Sequence, residues 1–122
     1  MRGKAEVLGV VLFLAAGGLR VAGEEVTLKG EVVEISCYSK QGVAKGTGAA
    51  HVACAIDCAK QGKPLGLLTD GDGLFRFVGD YADNNSAKLI PFIGKQVEVK
   101  GGREVYTDYR PAVRPTKITI VK

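Results

Sequence analysis

The sequence is poor in the side chains that carry most chemistry in enzymes. Its 122 residues contain one histidine, three cysteines and no tryptophan. A single histidine leaves general acid–base or Ser-His-Asp chemistry little to work with, and no paired carboxylates or glycine-rich phosphate loop are recognisable. We therefore predict no catalytic residues and expect that the protein is not an enzyme.

The cysteines also lack the spacings of the common redox and haem motifs. No Cys-x-x-Cys or Cys-x-x-Cys-His occurs, which argues against thioredoxin-like chemistry and covalent haem attachment. Three is an odd number, so a framework of disulfides alone leaves one thiol unpaired. Any chemistry is therefore expected where the cysteines and the single histidine meet.

The apolar run near the start of the chain is too short to cross a bilayer. This run, Val7–Leu14, follows the positively charged Met1–Lys4. Small residues then stand just before Glu24. Such an order is typical of a secretory signal peptide. We predict a signal peptide over 1–23, one domain over 24–122, and a periplasmic or secreted protein without membrane attachment after cleavage. An uncleaved N-terminal anchor is the alternative.

Part of the positive charge lies in the predicted export signal. Its removal takes away Arg2, Lys4 and Arg20 against Glu6, which lowers the net charge from +4 to +2. The basic pI is therefore weak evidence for a nucleic-acid partner.

Basic residues and tyrosines alternate near the C-terminus. This strip could bind single-stranded nucleic acid or oligosaccharide, as OB barrels do, or it could be a solvated edge. Because export removes the chain from nucleic acid, we predict no nucleic-acid partner and expect any partner to be another exported protein. The strip comprises Arg103, Tyr106, Tyr109, Arg110, Arg114 and Lys117.

The rest of the chain is predicted to form short strands separated by turns and two helices. The first strand, Val26–Ser36, slips in phase at Gly30, which indicates a bend that lets one strand serve two sheets. The polar, glycine-rich Tyr38–Gly48 is predicted to be a loop, followed by a helix that ends before Gly62. The remaining predictions are a hairpin of Leu65–Thr69 and Leu74–Val78 about the turn Asp70–Gly73, a short helix at Ala87–Ile93, a strand at Gln96–Lys100 extended by Arg103–Tyr109, a loop at Arg110–Pro115, and a closing strand at Thr116–Val121 with Ile118 and Ile120 inward.

This order of elements is the plan of the OB-fold, a five-stranded, partly open barrel. Leu89–Gly101 and Lys117–Val121 also resemble the second half of many bacterial OB domains, where a short helix ends in glycine and the last strand closes the barrel. The resemblance implies a mainly β, five-stranded, OB-fold-like barrel. It places the Cys/His helix as an insertion between strands 1 and 2, and the short helix between strands 3 and 4.

The candidate site is His51-x2-Cys54-x3-Cys58, together with Cys37. At about 100° per residue, the first three residues project from one helix face over two turns. If Cys37 ends a strand beneath this helix, three thiolates and one imidazole converge. Such a Cys3His set suits tetrahedral Zn(II) or the soft ion Cu(I), so the sequence predicts a metal site for storage, delivery or structure.

Two other interpretations of the cysteines stay open. A disulfide from Cys37 to Cys54 or Cys58 would staple the helix to the barrel and contribute roughly 3 kcal/mol. The protein would then be a binding or accessory module without a metal, and one thiol would be left over. Alternatively, a cysteine near His51 could act as a nucleophile, although the orienting third group that this needs is not evident.

The same residues carry a second resemblance. Small exported bacterial proteins of uncharacterised function share two patterns, G-x-V-V-[DE]-x-x-C-Y and H-x2-C-A-x2-C-A-x-x-G-x-P. Here these are Gly30–Tyr38 and His51–Pro64. The chain is similar to these proteins in spacing, and the resemblance supplies no activity.

Overall fold

Residues 24–106 and 110–121 are described by a computed structural model of the chain. The predicted signal peptide at 1–23 lies outside the described residues. Within the described ranges, no helix has both the length and the apolarity needed to span a membrane. The elements are β1 (Glu25–Glu34), α1 (Ile35–Gly46), α2 (Ala49–Lys60), β2 (Leu65–Thr69), β3 (Leu74–Phe77), α3 (Asp83–Ser86), β4 (Gln96–Val105) and β5 (Pro111–Ile120).

The prediction of a mainly β chain with five strands is confirmed, and the sheet closes into a ring. The hydrogen-bonded order is β1-β2-β3-β5-β4, and β4 returns to β1. Neighbouring strands are antiparallel except β3 and β5, which are parallel. The ring surrounds a core to which α2 contributes Ala55 and Ala59 and the connection between β3 and β4 contributes Leu89.

Gly30 is the point at which β1 serves two neighbours. It pairs with Thr69 of β2 on one side and with Val97 of β4 on the other. The register of both pairings runs through Gly30 without a shift, so the predicted slip in phase is not seen there, and β1 joins both neighbours within one sheet. A Cβ added at Gly30 would overlap the backbone carbonyl of Leu68, so glycine is required by the close approach of β2.

We therefore expect Gly30→Ala to destabilise the fold strongly. Because backbone atoms of β2 block the added methyl group, no side chain can move aside, and the loss should reach about 3 kcal/mol or more. Chemical denaturation measures this loss. Gly71→Ala is the matched control, since a Cβ there meets nothing within 4 Å. Equal stability of the two variants would contradict the close approach of the β2 backbone to Gly30.

The fifth strand is longer than predicted. The stretch Arg110–Pro115 was predicted to be a loop, yet β5 begins at Pro111 and continues the pairing with β4. Ala112 and Val113 are fully buried. The inward prediction for Ile120 was wrong, because its side chain is 52% exposed.

The predicted loop at Tyr38–Gly48 is wrong as well, because most of it belongs to α1. The helix starts under the side chain of Glu34 and is interrupted at Gly42, where φ is 70° and ψ is −166°. Gly46, the last residue of α1, packs directly on Tyr38. A Cβ added at Gly46 would lie 2.6 Å from the Cα of Tyr38. The insertion between β1 and β2 is therefore two helices, not one.

The predicted short helix between β3 and β4 is instead a series of short turns. Two 3₁₀ segments, Asp80–Ala82 and Ile90–Phe92, flank the four residues of α3. Asn84 and Asn85 of α3 have positive φ, a conformation that asparagine tolerates. The Asn85 side chain donates a 3.0 Å hydrogen bond to the carbonyl of Lys60, which ties this connection to the end of α2.

Candidate metal centre

The three cysteine sulfurs lie together at one end of the ring. Their Sγ atoms are all within 4.8 Å of one another, and those of Cys37 and Cys54 are 3.8 Å apart. Cys37 is in the first turn of α1, whereas Cys54 and Cys58 lie one turn apart on α2. The predicted convergence of Cys37 with the cysteines of the following helix is confirmed, and the group could hold a metal ion.

The spacing of the sulfurs suits a shared ion. Thiolates bound at about 2.3 Å from one ion lie about 3.8 Å apart in a tetrahedron and about 4.0 Å apart in a planar triangle. The 3.8 Å separation of the Cys37 and Cys54 sulfurs matches the tetrahedral value. A metal ion could therefore bind with small shifts of the side chains.

No two cysteines of the described residues are at disulfide distance. Bonded sulfurs lie about 2.05 Å apart, far shorter than the separation of Cys37 and Cys54. All three cysteines are free thiols in this structure. The disulfide interpretation therefore needs a change in the positions of two side chains.

Glu34, the last residue of β1, holds the start of α1. Its carboxylate accepts hydrogen bonds from the backbone N–H of Ser36 at 2.8 Å and of Cys37 at 3.0 Å, and from the Ser36 hydroxyl at 2.7 Å. Free N–H groups at a helix start are satisfied in this way by a capping side chain. Because one of these bonds ends on Cys37, Glu34 fixes the position of that cysteine.

Glu31 does the same for α2. Its carboxylate accepts a 2.6 Å hydrogen bond from the N–H of Gly48, the residue that precedes the helix. Two glutamates of one strand, three residues apart, thus hold the starts of the two cysteine helices. The role of Glu34 has a signal in the sequence, because a glutamate three residues before Cys37 can cap a helix start.

His51 lies beside the sulfurs but is not part of their group. Its side chain is 2% exposed, and its Nε2 accepts a 3.2 Å hydrogen bond from the backbone N–H of Glu34. The neutral ring must then carry its proton on Nδ1. A metal at Nε2 would have to displace this hydrogen bond. His51 as a fourth ligand therefore stays a prediction, and its observed contact ties α2 to the end of β1.

Burial and negative charge raise the pKa of two of the three thiols. Burial, the neighbouring carboxylate of Glu34 and the thiol of Cys54 together raise the pKa of Cys37. Burial is also the main cause that raises the pKa of Cys58. Because thiolates are the ligands, binding of an ion must release the protons of these thiols.

The pKa of Glu34 is lowered from its ordinary value. Burial raises it, but hydrogen bonds from the side chains and backbone of Cys37 and Ser36 outweigh the effect of burial. A carboxylate with a lowered folded-state pKa stabilises the fold above its unfolded pKa, and this contribution is lost as the pH falls through the folded-state value.

We therefore expect a stability profile that depends on Glu34. In Glu34→Gln the free energy of unfolding at pH 7 should fall by about 1 kcal/mol, as for a weakened helix cap. The difference from wild type should shrink as the pH falls from the ordinary pKa of a glutamate through the lowered pKa of folded Glu34. Urea denaturation between pH 7 and pH 3 measures it, with Glu25→Gln at the exposed end of the same strand for comparison. A difference that persists unchanged to pH 3 would contradict this account.

Other candidate sites are explained by local structure. The Asp70–Gly73 turn is closed by Thr69, whose N–H and hydroxyl both donate to the Gly73 carbonyl. In the basic strip, Arg114 forms an ion pair with Glu104, and the Arg76 guanidinium lies 4.1 Å from the ring centre of Tyr106. Tyr109 lies outside the described residues.

Comparisons with protein-family models, with curated protein sequences and with solved structures found no match to this chain.

Proposed function

We propose that this chain is an exported metal-binding protein that holds one Cu(I) or Zn(II) ion through Cys37, Cys54 and Cys58. The observation that carries the proposal is the convergence of three free thiols from two helices within 4.8 Å. Thiolate-rich sites select Cu(I) and Zn(II) over harder ions. Storage and delivery fit a partly exposed site better than a purely structural role, since Cys54 is exposed.

Of the two ions, the sulfur set favours Cu(I). Structural Zn(II) sites are almost always closed by four protein ligands, and the group offers three. Cu(I) is a soft ion and is stable with three thiolates. If His51 released its hydrogen bond to Glu34 and joined the set, Zn(II) would gain its fourth ligand.

We also propose that the domain is an OB-fold and that the protein acts in the periplasm or outside the cell. The ring order β1-β2-β3-β5-β4 with a parallel β3–β5 pair supports the fold proposal. The charged, apolar and small segments of 1–23 support export. A partner that receives or supplies the ion would then be another exported protein.

Native mass spectrometry of the full chain tests the metal proposal. Titration with Cu(I) under a reducing, oxygen-free atmosphere should give one bound ion per chain, and saturation should follow this stoichiometry. If the chain binds neither Cu(I) nor Zn(II), the proposal is overturned.

The second candidate is a binding module stapled by a disulfide, which the 3.8 Å approach of Cys37 and Cys54 favours. Isolation from an oxidising compartment would then give a mass about two daltons below that of the reduced chain. The same protein would take up no metal until reduced. Peptide mapping would identify Cys58 as the thiol that still reacts with an alkylating reagent.

A further inference from the structure

A cavity adjoins the sulfur group. Its volume is about 320 Å³, and its walls include two of the three cysteines, Cys37 and Cys54. At about 30 Å³ for each water molecule, this volume corresponds to about ten waters. It is therefore large enough for a side chain or a small molecule to come up to the sulfurs.

The cavity is lined by Cys54, the exposed member of the sulfur group. Cys54 is exposed, whereas Cys37 is buried against Glu34. No other residue of the described ranges joins the three-cysteine group as a ligand. An ion in this group would keep a coordination position for a ligand that does not belong to the group.

One positive charge lies on the wall of the cavity, which is otherwise mostly apolar. Gln41 and Lys45 of α1 line it together with His51 and Ala50 of α2, and no aspartate or glutamate is among the lining residues. The ammonium group of Lys45 attracts an anionic ligand. The incoming ligand that suits both this wall and a soft ion is a thiolate on an anionic carrier.

We propose that the centre exchanges its ion through this cavity with an incoming thiolate, an inference that rests on the proposed function. The incoming thiol gives its proton to solvent and forms a sulfur–copper bond as fourth ligand. The bond from copper to Cys54 then breaks, and that thiolate takes up a proton. Further incoming thiols displace Cys37 and Cys58 in the same way, each losing one proton as a cysteine thiolate gains one, and the ion leaves on the incoming thiolates. Copper stays Cu(I) throughout, so no oxidant or reductant is needed.

Rapid mixing of the Cu(I)-loaded full chain with glutathione tests the route. Native mass spectrometry of samples quenched at set times after mixing counts the chains that still carry copper and gives the rate. We expect the rate to rise linearly with thiol concentration, since the incoming ligand enters before Cys54 leaves. A rate that is independent of thiol concentration would overturn the proposal, because the ion would then leave first.

The charge of the wall gives a second, matched test. Lys45→Glu should slow exchange with anionic glutathione about tenfold at low salt and leave exchange with cationic cysteamine unslowed. Lys40→Glu, an exposed lysine of the same helix that does not line the cavity, should leave both rates near wild type. Equal effects of the two substitutions on glutathione exchange would overturn entry through the cavity.

Two further distinctions can be measured. One is whether the thiolate comes from a protein or a small molecule, and the other is whether the proposed function or only the exchange route fails. Attaching the anionic thiol to a carrier protein by a short linker tests a protein donor. A retained rate assigns exchange with a protein thiolate, and a lost rate assigns a small thiol. If the chain binds no Cu(I) at equilibrium, the proposed function fails. If it binds one ion that leaves at a thiol-independent rate, the exchange route alone fails.

Discussion

Replacing Cys58 by serine is expected to lower the affinity for Cu(I) by at least about a hundredfold. The substitution removes one of three converging thiolates and leaves an alcohol, which is a hard and weak ligand for this ion. Loss of even an outer-shell partner costs about 10- to 100-fold in metal affinity, so loss of a ligand should cost more. Competition with a chromogenic Cu(I) chelator measures the change.

Asp57→Ser is the matched control for this experiment. Asp57 is exposed, precedes Cys58 on the same helix, and is outside the three-cysteine group. It should leave the affinity near the wild-type value, which shows that a serine on this stretch of α2 is tolerated. A Cys58→Ser protein that binds Cu(I) as tightly as this control would contradict a three-sulfur site.

His51→Ala is expected to destabilise the fold by about 2 to 4 kcal/mol while leaving the metal stoichiometry at one. The substitution opens a cavity at a nearly fully buried position and leaves the N–H of Glu34 without its acceptor. Thermal or urea denaturation gives the stability. Metal titration of the same variant gives the stoichiometry at a temperature where it is folded.

His51→Gln separates the structural role from a ligand role. Glutamine keeps an acceptor and much of the volume, so it should recover part of the lost stability. If His51 is a ligand, both variants should instead lose metal affinity in parallel with Cys58→Ser. Unchanged stability in His51→Ala would contradict the contact between α2 and the end of β1.

Strand positions with simple alternation could be predicted from the sequence. Val97 and Val99 were predicted to face inward and are fully buried, and Phe75 and Phe77 share the buried face of β3. In these strands one face packs on the core and the other meets solvent, so period-two patterning survives in the sequence. Gly30 was singled out for a slip in phase, but what requires glycine there is the close approach of the β2 backbone.

The helix α1 could not be predicted in this way. Its composition is polar and glycine-rich, and its conformation at Gly42 departs from helical values. Two contacts hold it: Glu34, its N-cap, satisfies its first N–H groups, and Gly46 packs on Tyr38 across the break at Gly42. The cap has a signal in the sequence, but the packing of Gly46 on Tyr38 has none, and it overrides the weak helical propensity of the segment.

The candidate site was predicted in part for a similar reason. The inventory of three cysteines and their helical spacing were enough to expect a group, because few other ligands exist in the chain. The position of His51 was harder, since helical spacing places it near Cys54 and Cys58 without saying where its ring points. Its acceptor contact with Glu34 depends on the packing of α2 against β1.

X-ray absorption at the copper edge of the Cu(I)-loaded protein tests the central claim most directly. We predict three sulfur neighbours and no nitrogen in the first shell of copper. This three-sulfur shell should be lost in Cys58→Ser. A first shell of two sulfurs and one nitrogen, or a protein that binds no copper after full reduction, would contradict the three-thiolate centre.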